Sequence, residues 1–182
     1  MMKKIFNKKN IIIGLSVAAI IATIILINKK EEKPFIITTV SPSLLKNVVK
    51  ENNELFIISG ESSSVETKLL LESIMDIKKE ISHPIFFLDT LYFTDSLNDK
   101  DTTKEKKDEL LNKFAEYRNK YKITTLPTIT YIKDGKSIES TEDFLGLDYF
   151  SEVDENKKQI ILNNANLKLT SWFQNKSSRK KF

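Results

Sequence analysis

Between residues 35 and 175, short β-branched or apolar runs alternate with stretches whose apolar residues recur every three or four positions. The first pattern suits a strand and the second one buried helix face, so the chain switches repeatedly between the two. Phe35-Ile-Ile-Thr-Thr-Val40 predicts the first strand, and Ser41-Pro42 offers a cap with proline at the first helical position. Leu44, Leu45, Val48 and Val49 then follow at helical spacing until Asn52-Asn53 breaks the helix. Leu55-Phe-Ile-Ile58 predicts a buried strand, and Gly60 turns the chain into a second helix with Leu70, Ile74, Ile77 and Ile81 on its buried face. Ser82-His83-Pro84 ends that helix. Ile85-Phe-Phe-Leu88 is apolar throughout, as in a central strand covered on both faces.

The stretch from Thr94 to Glu109 is too charged for a core and predicts an exposed insertion. It leads into a helix carrying Leu110, Leu111, Phe114, Tyr117 and Tyr121 that ends near Ile123. Thr128-Ile-Thr-Tyr-Ile-Lys133 alternates apolar and polar residues, Asp134-Gly135 has the chemistry of a tight hairpin turn, and Ser137–Thr141 returns antiparallel. Leu167, Leu169, Trp172 and Phe173 mark a last helix. Trp172 reads as core. The order βαβαβα, then a hairpin and a helix, predicts an α/β domain with a mixed sheet and helices on both faces.

Ahead of this body, Ile11 to Ile27 is an uncharged apolar run, close to the roughly 17–25 residues that span a bilayer. Lys3, Lys4, Lys8 and Lys9 precede it, whereas Lys29, Lys30 and Lys33 follow, interleaved with Glu31 and Glu32. Because basic residues are retained on the cytoplasmic side, this balance predicts an inward N-terminus. The expected organisation is a cytoplasmic basic segment 1–10, a single transmembrane anchor 11–28, a linker 29–34, an extracellular domain 35–175 and a basic tail 176–182. A cleaved signal peptide is the alternative, but the small residues a signal peptidase prefers are missing from Thr23–Asn28. Both place the body outside the cytoplasm. In the tail, Arg179–Lys181 either touches anionic headgroups beside the anchor or is simply solvated.

The net charge of +4 changes meaning once it is divided. Residues 1–33 hold seven Lys and two Glu, or +5, and residues 176–182 contribute +4, so the body between them is −5. An acidic body lacks the surface that tracks phosphates, which argues against nucleic acid as a partner. The charge run Asp99–Glu109 reads as a solvated face, or as a flap that contacts a partner. No cysteine is present, so thiol–disulfide exchange and thiolate metal sites are both excluded. One histidine makes no ligand cluster, and no calcium-loop spacing of acids occurs. Neither a metal nor a cofactor is expected.

Three segments carry a resemblance to the thioredoxin-like superfamily, over roughly residues 35–175. Phe56-Ile-Ile-Ser-Gly-Glu-Ser-Ser-Ser-Val-Glu-Thr-Lys68 stands where that family has its strand-to-helix turn, with Ser64-Val65-Glu66-Thr67 in the place of Cys-x-x-Cys. Ile123-Thr-Thr-Leu-Pro-Thr128 resembles the family's Ile-x-x-x-Pro-Thr, and Lys133-Asp-Gly-Lys136 with Phe144-Leu-Gly146 resembles the segments that follow. The resemblance implies a βαβαβαββα fold, a cis bond at Pro127, and a groove where an extended peptide pairs with the residue before that proline. The candidate groove residues are Ser64, Val65, Glu66, Thr67, Leu126 and Pro127, with no catalytic residue among them. Ser63 and Glu66 have the spacing of a capping box. His83, just before the third strand, is expected at the opposite pole, too far away to activate Ser64.

With its anchor and its Lys-, Asn- and Ile-rich style, the chain is also similar to the bacteriocin transport accessory family of Gram-positive bacteria. It departs from that family at the cysteines which would carry disulfide chemistry. The similarity implies a membrane-anchored, redox-inactive accessory factor that binds an exported peptide or envelope protein, in bacteriocin or protein export. The alternatives are an enzyme that holds a small thiol cofactor through groove hydroxyls, and a structural envelope subunit that uses its outer helices.

Overall fold

The strands Ile37–Thr39 (β1), Glu54–Gly60 (β2), Ile85–Asp89 (β3), Thr128–Lys133 (β4) and Lys136–Thr141 (β5) form one sheet in the order β1-β3-β2-β4-β5. β1, β3 and β2 are parallel, whereas β4 and β5 are antiparallel additions beyond β2. These strands come from a computed structural model that describes residues 35–97 and 99–177. The chain divides into two units after Phe35, and all five strands belong to the second. The anchor expected at 11–28, its flanks 1–10 and 29–34, and Arg179–Lys181 lie outside the described residues. Among the described residues no helix is long and apolar enough to cross a membrane.

The helices are Pro42–Glu51 (α1), Val65–Asp76 (α2), Leu91–Thr94 (α3), Lys104–Tyr121 (α4), Gly146–Ser151 (α5) and Glu155–Ser177 (α6). Strand alternation sends Leu55 and Ile57 of β2 to one face, where they join Leu45 and Val49 of α1 and Tyr117 and Tyr121 of α4. Phe56, between them in sequence, points to the other face. There it meets Phe173 of α6 edge-on, with ring centroids 4.7 Å apart. The sheet is thus covered on both sides. Its strand order and layers are those of a thioredoxin-like α/β fold, as the sequence predicts.

Several boundaries differ from the sequence reading. β3 is an interior strand, but β2 is the middle one. α2 stops at Asp76 and a 3₁₀ turn, Lys78–Glu80, follows, which leaves Ile77 and Ile81 only half-buried. The insertion expected through Glu109 is helical from Lys104. Thr103 caps it by accepting from the Lys106 N–H at 3.3 Å, and Lys106 and Lys113 both pair with Glu109. Leu111, expected in the core, is exposed because Leu110 takes the inward position. The same happens in α6, where Ala165, Leu169 and Phe173 are buried at intervals of four and Leu167 faces out. Lys176, grouped with the basic tail by composition, is buried within α6 and bonded to Glu139.

Candidate functional site

The parallel strands deliver their C-terminal ends to one pole. β2 ends in Ser59-Gly60, and the buried Ser59 hydroxyl bonds the Tyr117 hydroxyl at 2.7 Å, pinning α4 to this end of the sheet. Burial pushes the Tyr117 phenol well above its ordinary range, so it stays a neutral partner. Beyond Gly60 the chain turns sharply: the Ser64 N–H reaches the Glu61 carbonyl at 3.0 Å, and Asp89 accepts from the Ser62 N–H at 3.2 Å. This turn delays α2 by one residue relative to the expected capping box. Ser64 rather than Ser63 is the cap, accepting from the Thr67 N–H at a long 3.5 Å. Glu66 therefore does not reach back to the cap and instead takes the Leu145 N–H as its donor.

The facing wall is the loop from Ile123 to Pro127. Arg118 donates to the Ile123 carbonyl at 3.1 Å and also to the Thr124 carbonyl. From the other side, the Glu142 carboxylate accepts from the Thr124 N–H at 2.9 Å and from the Thr124 and Thr125 hydroxyls. Burial raises the Glu142 pKa, but these bonds together outweigh it and hold the carboxyl below its usual range. The Leu126–Pro127 bond is cis. Leu126 packs its side chain against the α1/α4 cluster, so the part of it left for the groove is its backbone. Neither its N–H nor its carbonyl makes a hydrogen bond among the described residues.

The two walls meet at Gly60. A Cβ there would stand 2.7 Å from the Thr67 hydroxyl oxygen and 3.2 Å from the Pro127 Cβ, so only glycine fits between them. Thr67 is fully buried, and its hydroxyl has no hydrogen-bond partner among the described residues. Beside Pro127 opens a pocket of about 230 Å³ whose lining includes Leu70, Asp143, Phe144, Lys168 and Trp172. Val65 is 61% exposed at the start of α2, and Ser64 is half-buried. Trp172 is half-buried, donating its indole N–H to Glu139 at 2.8 Å.

His83 lies at the other pole, as expected: it pairs at 3.1 Å with Glu54, the first residue of β2, six residues from Gly60. At about 3.3 Å per residue that separates it from Gly60 by about 20 Å, so the imidazole cannot serve Ser64 as a base. Thr67 and Pro127 both lie beside Gly60. Gly60, Glu142 and the Ser59–Tyr117 pair were missed as site components. Of these, Gly60 alone had a local signal, standing at the junction of a strand with a helix start.

The fold and this pole define a thioredoxin-like α/β protein in which a capped helix faces a cis-proline turn without a thiol between them. No family model and no curated protein matches the chain. Among solved structures, oxidised mitochondrial thioredoxin 3 from Saccharomyces cerevisiae is 16% identical, covering 58% of this chain and 82% of its own, with a TM-score of 0.39. Oxidised thioredoxin from Plasmodium falciparum is also 16% identical, covering 71% and 99%, at 0.40. Reduced thioredoxin from Schistosoma mansoni is 13% identical, covering 58% and 83%, also at 0.40. Scores this low carry no weight, and the fold assignment rests on strand order and pairing.

Proposed function

We propose that this chain is a membrane-anchored, redox-inactive thioredoxin-like protein whose body, outside the cytoplasm, binds an extended segment of an exported peptide or envelope protein. The observation that carries the reading is the Leu126–Pro127 turn. Five side chains, from Arg118, Thr124, Thr125, Thr128 and Glu142, make the bonds that fix this loop, whereas Leu126 leaves its own N–H and carbonyl unbonded among the described residues. Backbone groups held open in this way suit pairing with an added strand. The slot opposite offers a serine cap and a buried threonine, and the chain has no cysteine with which to exchange disulfides. Support for the anchor is the apolar run Ile11 to Ile27 between basic flanks, and export of bacteriocins or other proteins is the process in which we place it.

The test is photo-crosslinking in cells from Val65, with exposed Lys106 on α4 as the control position, followed by mass spectrometry. The expected result is one discrete partner captured from Val65 alone. Capture from Lys106 alone moves the function to the outer helices and sinks the groove reading.

A further inference from the structure

A cavity of about 340 Å³ opens on the side of the sheet covered by α1 and α4, and none of the candidate groove residues lines it. The segment leaving β1 supplies Ser43 and Leu45, the segment leaving β3 supplies Tyr92 and Phe93, and α4 supplies Tyr117 and Tyr121. Small-molecule sites have this size and this make-up, mostly apolar walls with a few placed polar groups. The two α4 tyrosines differ in what their hydroxyls do. Tyr117 is bonded to Ser59. Tyr121 is only 3% exposed, and its hydroxyl has no hydrogen-bond partner among the described residues. That oxygen is not enclosed, so it opens onto the cavity its side chain lines. A phenol in so confined an opening is satisfied by whatever enters it.

The other polar groups of the lining are mainly donors and cations. At the start of α1 the Ser41 and Ser43 hydroxyls bond each other at 2.9 Å, and neither side chain caps the helix. The Ser43 N–H, at the second helical position, is therefore without an acceptor among the described residues. Lys46, Lys113 and Lys120 also line the cavity, against the single acid Glu116. Lys113 is neutralised by Glu109, whereas Lys46 and Lys120 are in no ion pair among the described residues. The Lys120 ammonium stands 5.1 Å from the centre of the Tyr121 ring. On a body that is acidic overall, this opening gathers a free hydroxyl, a helix-start N–H and two unpaired ammonium groups, all of which favour negative charge. Leu45 and the edge-on pair Tyr92 and Phe93 supply the apolar surface.

We propose that this cavity binds a small amphiphilic carboxylate. Its ring-sized apolar body lies against Leu45, Tyr92 and Phe93, and its oxygens accept from the Tyr121 hydroxyl in the field of Lys46 and Lys120. The site is separate from the cis-proline groove, so either can fail while the other stands. A charged acceptor on a confined phenol changes affinity roughly tenfold, whereas each solvent-facing lysine adds a factor of roughly two to three.

The test follows the Ser43 and Tyr92 amide signals by NMR in the full chain, held in a neutral detergent, during titration with naphthoate, naphthamide or the naphthylmethylammonium cation. The three probes share one apolar body and differ in charge. Naphthoate is expected to move both signals with a dissociation constant of roughly 0.2–2 mM, the range open to a ligand of about 13 heavy atoms. Naphthamide should bind roughly tenfold more weakly, and the cation should leave both signals in place. Tyr121→Phe keeps the ring in the core and should weaken naphthoate roughly tenfold. Lys46→Gln with Lys120→Gln should remove much of its advantage over naphthamide, whereas Lys78→Gln with Lys79→Gln, on the exposed turn after α2, should leave that advantage intact. Signals that stay put to about 10 mM naphthoate, well above the expected range, overturn the site. Equal affinities for naphthoate and naphthamide, or a naphthoate affinity unchanged by Tyr121→Phe, overturn the carboxylate assignment.

Discussion

Replacing Thr67 with valine should make the protein more stable. The side chain is fully buried at the third position of α2, and its hydroxyl oxygen is without a hydrogen bond among the described residues. An unsatisfied buried hydroxyl costs about 1–3 kcal/mol, which valine removes while keeping the β-branched shape. Against this, a methyl group is bulkier than oxygen, and Thr67 already packs so near Gly60 that a Cβ there would stand 2.7 Å from its hydroxyl oxygen. Crowding there costs up to about 1–2 kcal/mol, leaving a net gain of about 1 kcal/mol. With a urea slope of roughly 2 kcal/mol/M for a domain of this size, the midpoint should rise by roughly 0.5 M. Trp172, the one tryptophan, reports the transition by fluorescence. Thr67→Ser keeps the hydroxyl and deletes the methyl, so it should fall by about 1 kcal/mol. A Thr67→Val midpoint lowered by more than that crowding cost would show that the hydroxyl is satisfied after all.

Other contacts lead to three more expected outcomes. Ser59→Ala and Tyr117→Phe should each cost about 1–2 kcal/mol by leaving the other hydroxyl buried and unbonded, but the double variant should cost less than their sum, with a coupling of about 1 kcal/mol in a denaturation cycle. Strict additivity would show that the bond does not hold α4 to β2. The Tyr131 hydroxyl, followed by Lys133 and His83, holds the Glu54 carboxyl below its ordinary range, so its contribution is full above the unfolded pKa and fades as pH falls through the folded one. Glu54→Gln should therefore cost about 1 kcal/mol at pH 7 and progressively less as the pH falls below the ordinary carboxylate range, and a loss independent of pH would contradict this. Ser64→Cys with Thr67→Cys should give a chain that accelerates insulin reduction by dithiothreitol, because a thiol at the α2 cap sits where a helix end lowers its pKa. No acceleration would mean that the slot lacks disulfide geometry.

Where the sequence was readable, one hydrogen-bonding or packing rule dominated locally. Asp134-Gly135 supplies two positive φ angles of 49° and 75° to the hairpin turn, so β4 and β5 paired as their alternation predicted. The Thr103-x-x-Lys106 start of α4 and its Glu109–Lys113 pair were equally local, but the density of charge concealed them. Helix faces were harder. Leu110 and Leu111, or Leu167 and Leu169, offer two competing apolar phases, and only the position of the sheet decides which is buried. The start of α2 shifted from Ser63 to Ser64 because Asp89, twenty-seven residues away, draws in the Ser62 N–H. Glu142 had no signal at all, since its role depends on a loop it meets only after β5 has paired.

That division bears on the groove itself. A hairpin needs its turn and its register, and β4 and β5 have both without help from the segment before them. The loop from Ile123 to Pro127 is nevertheless held by Arg118 from α4 and by Glu142 from beyond β5. These are charged groups from two separate parts of the chain, brought to one five-residue stretch. Charge-assisted bonds of this kind are among the stronger ones available, and ordering two long side chains carries an entropic cost. Such an investment is unnecessary if Pro127 merely starts a strand. It is accounted for if the shape of the loop is what matters, because an edge that must pair with an incoming backbone works only when its own N–H and carbonyl stay fixed and unbonded. Arg118→Met and Glu142→Gln should therefore weaken peptide capture at Val65 more than they lower the urea midpoint. The reverse ranking would make the loop a structural brace and remove the strongest support for a binding groove.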